Sequence, residues 1–144
     1  MKYLLSMSIV LAISFGQWST SPDEPLWLGD GVQAKVKATS DGGAYVAWLS
    51  DGNYHVYLQR LNSDGEPQWS NGGMVVSDQP NSSWIAVHHM NLIVDGNDNA
   101  IISTLDTRTG IWQVYAYKIA PDGSMPWGTD GLTLSISGSE NISP

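Results

Sequence analysis

VYLQRLNSDGEPQW, residues 56–69, occurs a second time in this chain, at residues 114–127, as VYAYKIAPDGSMPW. Each copy begins with six residues whose side chains would alternate between the two faces of a strand. An Asp-Gly pair follows, and a tryptophan stands four residues after that glycine. Another glycine stands four residues after each tryptophan. The positions that define the repeat are Trp48, Tyr57, Gly65, Trp69 and Gly73 in the first unit and Tyr115, Gly123, Trp127 and Gly131 in the second. We predict that both units form the same local structure.

The first six residues of each copy have the pattern of a β-strand, whose side chains alternate between two faces. In the first copy the predicted faces are Val56, Leu58 and Arg60 against Tyr57, Gln59 and Leu61. The Asp-Gly pair predicts a tight hairpin turn, since glycine accepts the positive φ that such turns need. Pro67 and Pro126 stand beside the tryptophans and cannot donate a ladder hydrogen bond. We therefore place each tryptophan on an edge-type return strand, as a packing anchor.

Two further apolar runs precede each copy and are separated by turns that contain glycine. Residues 32–38 and 44–48 precede the first copy, and residues 90–94 and 100–105 precede the second. Each unit therefore contains four short strands joined in order. Many short strands with regular turn spacing indicate an all-β fold. We predict tandem four-stranded antiparallel meanders, with an insertion near residues 80–90 in the second unit.

The chain divides into five segments. The predicted segments are a signal peptide at 1–16, a linker at 17–26, a first unit at 27–77, a second unit at 78–137 and a polar tail at 138–144. Lys2, an apolar run, and the small residues Ser14 and Gly16 form the pattern of a cleaved secretory signal peptide. The tail stands where another repeat would begin. This organisation predicts a protein that is secreted or held at the cell surface.

The composition excludes two classes of partner. The chain has 144 residues, a formal net charge of −8 and no cysteine. Nucleic acids and anionic membrane surfaces need positive patches, so we expect neither as a partner once the signal peptide is removed. The acidic residues lie mostly in Asp-Gly turns, where their side chains serve the turn. Because disulfides are absent, packing between the units has to stabilise the exported fold.

The repeat resembles those of β-propellers in secreted and cell-surface bacterial proteins. The matching parts are residues 44–48, 57–61 and 73–75 together with the Asp64-Gly65 turn and Trp69. The spacing from Leu61 to Trp69 is also similar to the tryptophan-docking motif of quinoprotein-type propellers, in which the tryptophan locks neighbouring blades together. The second unit departs from the pattern at Leu105 and at Tyr117-Lys118. The resemblance implies about two blades of a propeller-like array.

Two blades are fewer than a closed propeller needs, which is about four or more. An open array exposes apolar sheet faces and unpaired edges, and such surfaces favour association. We therefore expect a truncated array. Its expected partners are further repeats of the same array or other copies of the chain.

Asp95, Asn97 and Asn99 form the one candidate metal site. They alternate as the ligands do at the opening of an oxygen-ligand calcium loop. Ala100 stands where that loop needs glycine, and a polar hairpin turn is the alternative interpretation. No other cofactor or metal site is predicted.

Trp84 is the candidate for contact with a ligand. It lies in the insertion between the two units, where an exposed aromatic ring would be able to stack against a glycan. The alternative interpretation is that the inserted segment buries Trp84 against one end of the sheet.

The sequence is compatible with two functions. The favoured one is an exported, non-enzymatic scaffold whose blades display loops to an extracellular protein or glycan partner. The alternative is a fragment of a propeller hydrolase or lyase that acts on extracellular polysaccharide, which would need a polar cluster on the inner strands. The polar residues of the candidate inner strands are Gln33, Lys35, Lys37 and Asn91. No nucleophile elbow or phosphate-binding glycine loop is present, so no catalytic residue is predicted.

Overall fold

The computed structural model describes residues 21–82, 85–86 and 89–135, which form two four-stranded antiparallel sheets. The first sheet contains β1 (Val32–Ala38), β2 (Ala44–Leu49), β3 (Val56–Leu61) and β4 (Met74–Ser77). The second sheet contains β5 (Asn91–Val94), β6 (Ala100–Asp106), β7 (Gln113–Ile119) and β8 (Leu132–Thr133). Neighbouring strands pair in chain order in both sheets. The predicted all-β fold of tandem four-stranded meanders is confirmed, and it is consistent with about two blades of a propeller-like array.

The two sheets use the same strand register. The matching pairs are Ala44–Leu61 with Ala100–Ile119, and Leu58–Met74 with Ala116–Leu132. Both Asp-Gly turns place their glycine at positive φ, 81° at Gly65 and 85° at Gly123, as a tight hairpin turn requires. These pairs align the strands of the first sheet with those of the second residue by residue.

The hydrophobic core lies between the two sheets, and each sheet contributes one face to it. The first sheet uses the face of β3 that carries Val56 and Leu58. The second sheet uses the face of β7 that carries Tyr115 and Tyr117. In the aligned units these are opposite faces. The two sheets are therefore stacked front to back rather than front to front.

The repeat tryptophans do not lie on the return strands, and this part of the prediction was wrong. Trp69 lies in a bend before β4, and Trp127 lies in a turn before β8. Pro67 forms only an isolated bridge with Leu61. The reason is that tight turns consume the residues between the hairpin and β4, one of them closed by a 2.9 Å hydrogen bond from the Gly73 amide to the Ser70 carbonyl. The return strands β4 and β8 themselves do lie at the sheet edges.

The insertion before β5 contributes to the core instead of extending a strand. Its described part forms a helical turn in which the Ile85 amide donates to the Ser82 carbonyl at 3.1 Å and the His89 amide to the Ile85 carbonyl at 2.7 Å. Ile85 and Met90 are fully buried in the core cluster. Within the described ranges no helix has the length and apolar character needed to cross a bilayer. The predicted signal peptide, the 138–144 tail and Trp84 lie outside the described residues.

Gly131 has no room for a side chain at the start of β8. Its φ is 67°, and a Cβ there would lie 2.7 Å from the Ala116 carbonyl oxygen and 2.8 Å from Cε1 of Tyr117. We expect Gly131→Ala to lower the free energy of unfolding by about 2 kcal/mol or more, because it combines backbone strain with a clash. Gly128 is the matched control, since its φ is 81° but the space around it is open. Gly128→Ala should cost about 1 kcal/mol. Urea unfolding measures both variants, and equal losses would contradict the close packing at Gly131.

Candidate functional site

Hydrogen bonds join the two sheets around the apolar core. The Asp98 carboxylate accepts from the Ser40 amide at 2.8 Å and from the Ser40 hydroxyl at 2.5 Å. The backbone carbonyl of Asp98 accepts from the Tyr45 hydroxyl at 2.9 Å. Burial raises the pKa of Tyr45 to about 12, so its hydroxyl stays a neutral donor near neutral pH. The hydroxyl oxygens of Tyr117 and Ser77 lie 3.1 Å apart and form a further bond between the sheets.

Trp69 packs into this interface from the first sheet. Its ring centroid lies 5.9 Å from that of Tyr45. A Cβ built at Gly123, in the Asp-Gly turn of the second sheet, would lie 3.4 Å from Nε1 of Trp69. The backbone amide of Trp69 donates to the side-chain oxygen of the buried Gln59 at 3.1 Å. Trp69 therefore contacts both its own sheet and the hairpin turn of the next sheet.

Trp127 holds the corresponding position in the second sheet, where it lines an open apolar groove of about 280 Å³. The other groove residues are Asn91, Ile93, Ile101, Ser103, Ala116, Leu132 and Leu134. Ile93 and Leu132 are 55% and 44% exposed. We call this surface the open face of the second sheet. Exposed apolar patches of this kind usually mark interaction sites.

The first sheet also has an exposed face, on the side that points away from the second sheet. Val36 pairs with Val46, and Val75 pairs with Tyr57, so all four share this side. Val36 is 60% exposed and Val75 is 43% exposed. We call this surface the open face of the first sheet.

Three aromatic rings surround a cavity of about 210 Å³ at the Trp48 end of that face. The rings of Trp48 and Tyr57 are stacked, with centroids 5.8 Å apart and an interplanar angle of 17°. Trp27 is 55% exposed, and its Nε1 donates to Oδ1 of Asp30 at 3.3 Å. Ser50 also lines the cavity. The cavity therefore combines aromatic surfaces with a carboxylate and a hydroxyl group.

In the Asp95 turn, predicted as a candidate calcium loop, the Asp95 carboxylate already accepts hydrogen bonds from the turn itself and from Lys118. Oδ1 of Asp95 accepts from the backbone amides of Asn97 at 2.9 Å and Asn99 at 3.0 Å, while Oδ2 lies 2.8 Å from Nζ of Lys118. The hydrogen bond from Lys118, followed by those from Asn99, lowers the pKa of Asp95 well below its usual value. The side-chain nitrogen of Asn99 also faces this carboxylate, at 2.9 Å from Oδ1. Across residues 21–82, 85–86 and 89–135, no three His, Cys, Asp or Glu side chains come together to hold a metal ion.

We expect calcium to give no saturable heat when it is titrated into the chain. A calcium ion at Asp95 would have to displace the Lys118 ammonium group and the hydrogen bonds of the turn. Isothermal titration calorimetry measures the heat directly, with Asp95→Asn as the control variant. A saturable heat that Asp95→Asn abolishes would contradict this prediction.

Asp106 is buried at the end of β6 and forms an ion pair with the partly buried Arg108. Nη2 of Arg108 lies 2.6 Å from Oδ2 of Asp106, whose side chain is 1% exposed. Nη1 of Arg108 donates to the Asp130 carbonyl at 2.8 Å, and the guanidinium lies 3.8 Å from the Tyr115 ring centroid. Burial opposes the charge on Arg108, but hydrogen bonds with Asp106 and Tyr117 outweigh it and raise the pKa of the guanidinium. These contacts join β6, β7 and the segment before β8, which is a structural role.

Neither the aromatic cavity nor the Asp106–Arg108 pair was predicted from the sequence. Trp27 stands 42 residues before Trp69, which relates it to the repeat. No pattern in the sequence predicts that Asp30 lies beside the Trp27 ring. Among the inner-strand polar residues, the Gln33 carboxamide oxygen lies 2.6 Å from Nδ1 of His89, so this side chain contacts the lead-in to β5. Comparison of the chain with models of protein families, with curated proteins and with solved structures finds no match.

Proposed function

We propose that this chain is a non-enzymatic, exported segment of a β-propeller-like array, which serves as a scaffold and presents a glycan-binding cavity. The signal-peptide pattern supports export, and the front-to-back stacking of two similar sheets supports an array. The observation that carries the binding role is the cavity formed by Trp27, Trp48 and Tyr57.

The chemistry of the cavity favours a sugar as its ligand. A pyranose ring has C–H groups on its faces and hydroxyl groups at its edge. The exposed ring of Trp27 matches the former, with Tyr57 lining the same cavity over the buried Trp48 ring, while the Asp30 carboxylate and the Ser50 hydroxyl match the latter. Trp48 and Tyr57 belong to the paired strands β2 and β3, so their rings are in position before a ligand binds. The exposed ring of Trp27 would close over the bound sugar.

Titration of the full chain with cello-, malto- and manno-oligosaccharides tests this proposal. We expect saturable binding of at least one of these probes by calorimetry. Trp27→Ala should weaken that binding by at least about tenfold, which corresponds to about 1.4 kcal/mol. Trp112→Ala is the matched control, because Trp112 lies just before β7 in the second sheet. Absence of saturable binding to every probe, or equal losses in the two variants, would contradict a glycan site at this cavity.

A further inference from the structure

The two open faces correspond, residue by residue, to the two sides of the interface that the chain already forms. Leu61 and Ile119 hold the same place in the sequence repeat, and they pair with Ala44 and Ala100 respectively. Counting along the strands from these pairs matches each residue of β2 with one of β6. The remaining strands follow from their registers.

On the open face of the second sheet, the groove residues match residues of the first sheet that pack against the second. Ile101 corresponds to Tyr45, Ser103 to Ala47, Ala116 to Leu58, Trp127 to Trp69 and Leu132 to Met74. Tyr45, Ala47 and Leu58 are each 0% exposed. A surface that is buried in the first sheet is therefore presented to solvent by the second.

The open face of the first sheet matches the side of the second sheet that receives the first. Val36 corresponds to Leu92, and Tyr57 corresponds to Tyr115. Leu92 is 3% exposed in the formed interface, whereas Val36 is 60% exposed. The difference between these equivalent positions is the presence of a neighbouring sheet.

The basic residues beside these faces correspond as well, and each forms an ion pair with an aspartate of the turn that precedes β2 or β6. Arg60 follows Leu58 on the core-facing side of β3 and forms an ion pair with Asp41. Lys118 follows Ala116 on the open side of β7, and its Nζ lies 2.8 Å from Oδ2 of Asp95. The open face of the second sheet therefore has the same apolar centre and the same kind of ion pair as the face that already docks.

We infer that the open face of the second sheet binds the open face of the first sheet of a second copy of this chain. This inference rests on the array proposed above. Tyr57 lies both on this docking face and in the glycan cavity, so docking would compete with sugar binding at that end of the face. Because the two surfaces differ, the contact is head to tail, and it produces a ring if the rotation closes and a filament if it does not. At about four to eight blades per closed propeller, a ring would contain about two to four copies.

Sedimentation of the full chain over a concentration series tests the inference, with one arginine placed on each face. Leu132 and Val75 suit this purpose, since they are 44% and 43% exposed and their replacement leaves the core intact. Leu26→Arg is the matched control, because Leu26 is 46% exposed and precedes both sheets. We expect the unchanged chain and Leu26→Arg to form oligomers. Leu132→Arg alone and Val75→Arg alone should weaken association by at least about tenfold.

Mixing the two variants distinguishes a head-to-tail contact from a symmetric one. The Leu132→Arg copy keeps an intact first face, and the Val75→Arg copy keeps an intact second face. An equimolar mixture should therefore form a heterodimer and nothing larger. Dimers of Val75→Arg alone would show a symmetric contact between second sheets and would overturn the inference. A monomeric unchanged chain, or no heterodimer in the mixture, would overturn it too, while sugar binding by such a monomer would leave the glycan proposal standing.

Discussion

Trp69→Ala is expected to lower the free energy of unfolding by about 3 kcal/mol, whereas Trp127→Ala should cost less than about 1 kcal/mol in a monomeric background. The two tryptophans occupy the same place in the sequence repeat. Trp69, however, contacts Tyr45 and the Gly123 turn between the sheets, and Trp127 lines an open groove. Removing the Trp69 ring leaves a cavity in a formed interface. Removing the Trp127 ring only widens a groove that is open to solvent, so fewer buried contacts are lost.

The comparison is best made in the Val75→Arg background, which removes any contribution from association and lies outside the groove that Trp127 lines. Urea unfolding followed by far-ultraviolet circular dichroism gives the free energy of each variant under the same conditions. In the unsubstituted chain, Trp127→Ala should instead weaken oligomer formation. Similar losses of stability for the two tryptophans in the monomeric background would contradict the different environments described here.

Asp106→Asn is expected to cost about 3 kcal/mol of unfolding free energy, because it leaves the Arg108 charge without its buried counterion. The replacement keeps the shape of the side chain, so the loss reports on charge. Arg108 would retain the Asp130 carbonyl, the Tyr117 hydroxyl and the Tyr115 ring, which are weaker partners for a partly buried cation.

Two controls separate this effect from a general cost of removing carboxylates. Asp41 pairs with Arg60 but is 46% exposed, so Asp41→Asn should cost less than about 1 kcal/mol. The double variant Asp106→Leu with Arg108→Met removes both charges and should recover part of the stability lost in Asp106→Asn. Chemical unfolding of all three variants measures these differences. An Asp106→Asn variant as stable as Asp41→Asn would contradict a structural role for the buried pair.

The strands were predictable because their signal is local and occurs twice. The predicted strand at residues 56–61 matches β3, and residues 32–38 match β1. Alternating side chains, glycine turns and the repeated spacing all indicate the same elements, so each supports the others. The return strands do lie at the sheet edges, but the prolines used to predict this precede β4 and β8; the edge position comes from the chain order of each meander.

Features that depend on contacts between distant residues were not predictable. Nothing in the repeat states that the first sheet uses the Leu58 side of β3 while the second uses the Tyr117 side of β7. The aromatic cavity needs Trp27 and Tyr57, 30 residues apart, to meet. From the sequence, Asp106 and Arg108 look like solvent-exposed residues of a turn, and only the structure shows that Asp106 is buried. The tryptophans were predicted to lie on strands because the sequence pattern does not show how many residues the turns before β4 and β8 occupy.

One spectroscopic measurement tests most directly whether the open face of the second sheet repeats the interface formed by the first. The chain contains no cysteine, so Asp64→Cys in the exposed turn before Gly65 carries a nitroxide label at one position only. Chains that carry this nitroxide at natural isotope abundance are mixed with chains that carry nitrogen-15 in their tryptophan indoles and no nitroxide.

Because Trp69 lies beside the Gly123 turn of its own chain, Trp127 should lie beside the Gly65 turn of the neighbouring copy. We expect the indole signal of Trp127 to be broadened more strongly than that of Trp69, which lies one sheet spacing, about 10 Å, further away. Broadening that is absent, or stronger at Trp69 than at Trp127, would contradict docking of the second sheet onto the first sheet of a neighbouring copy.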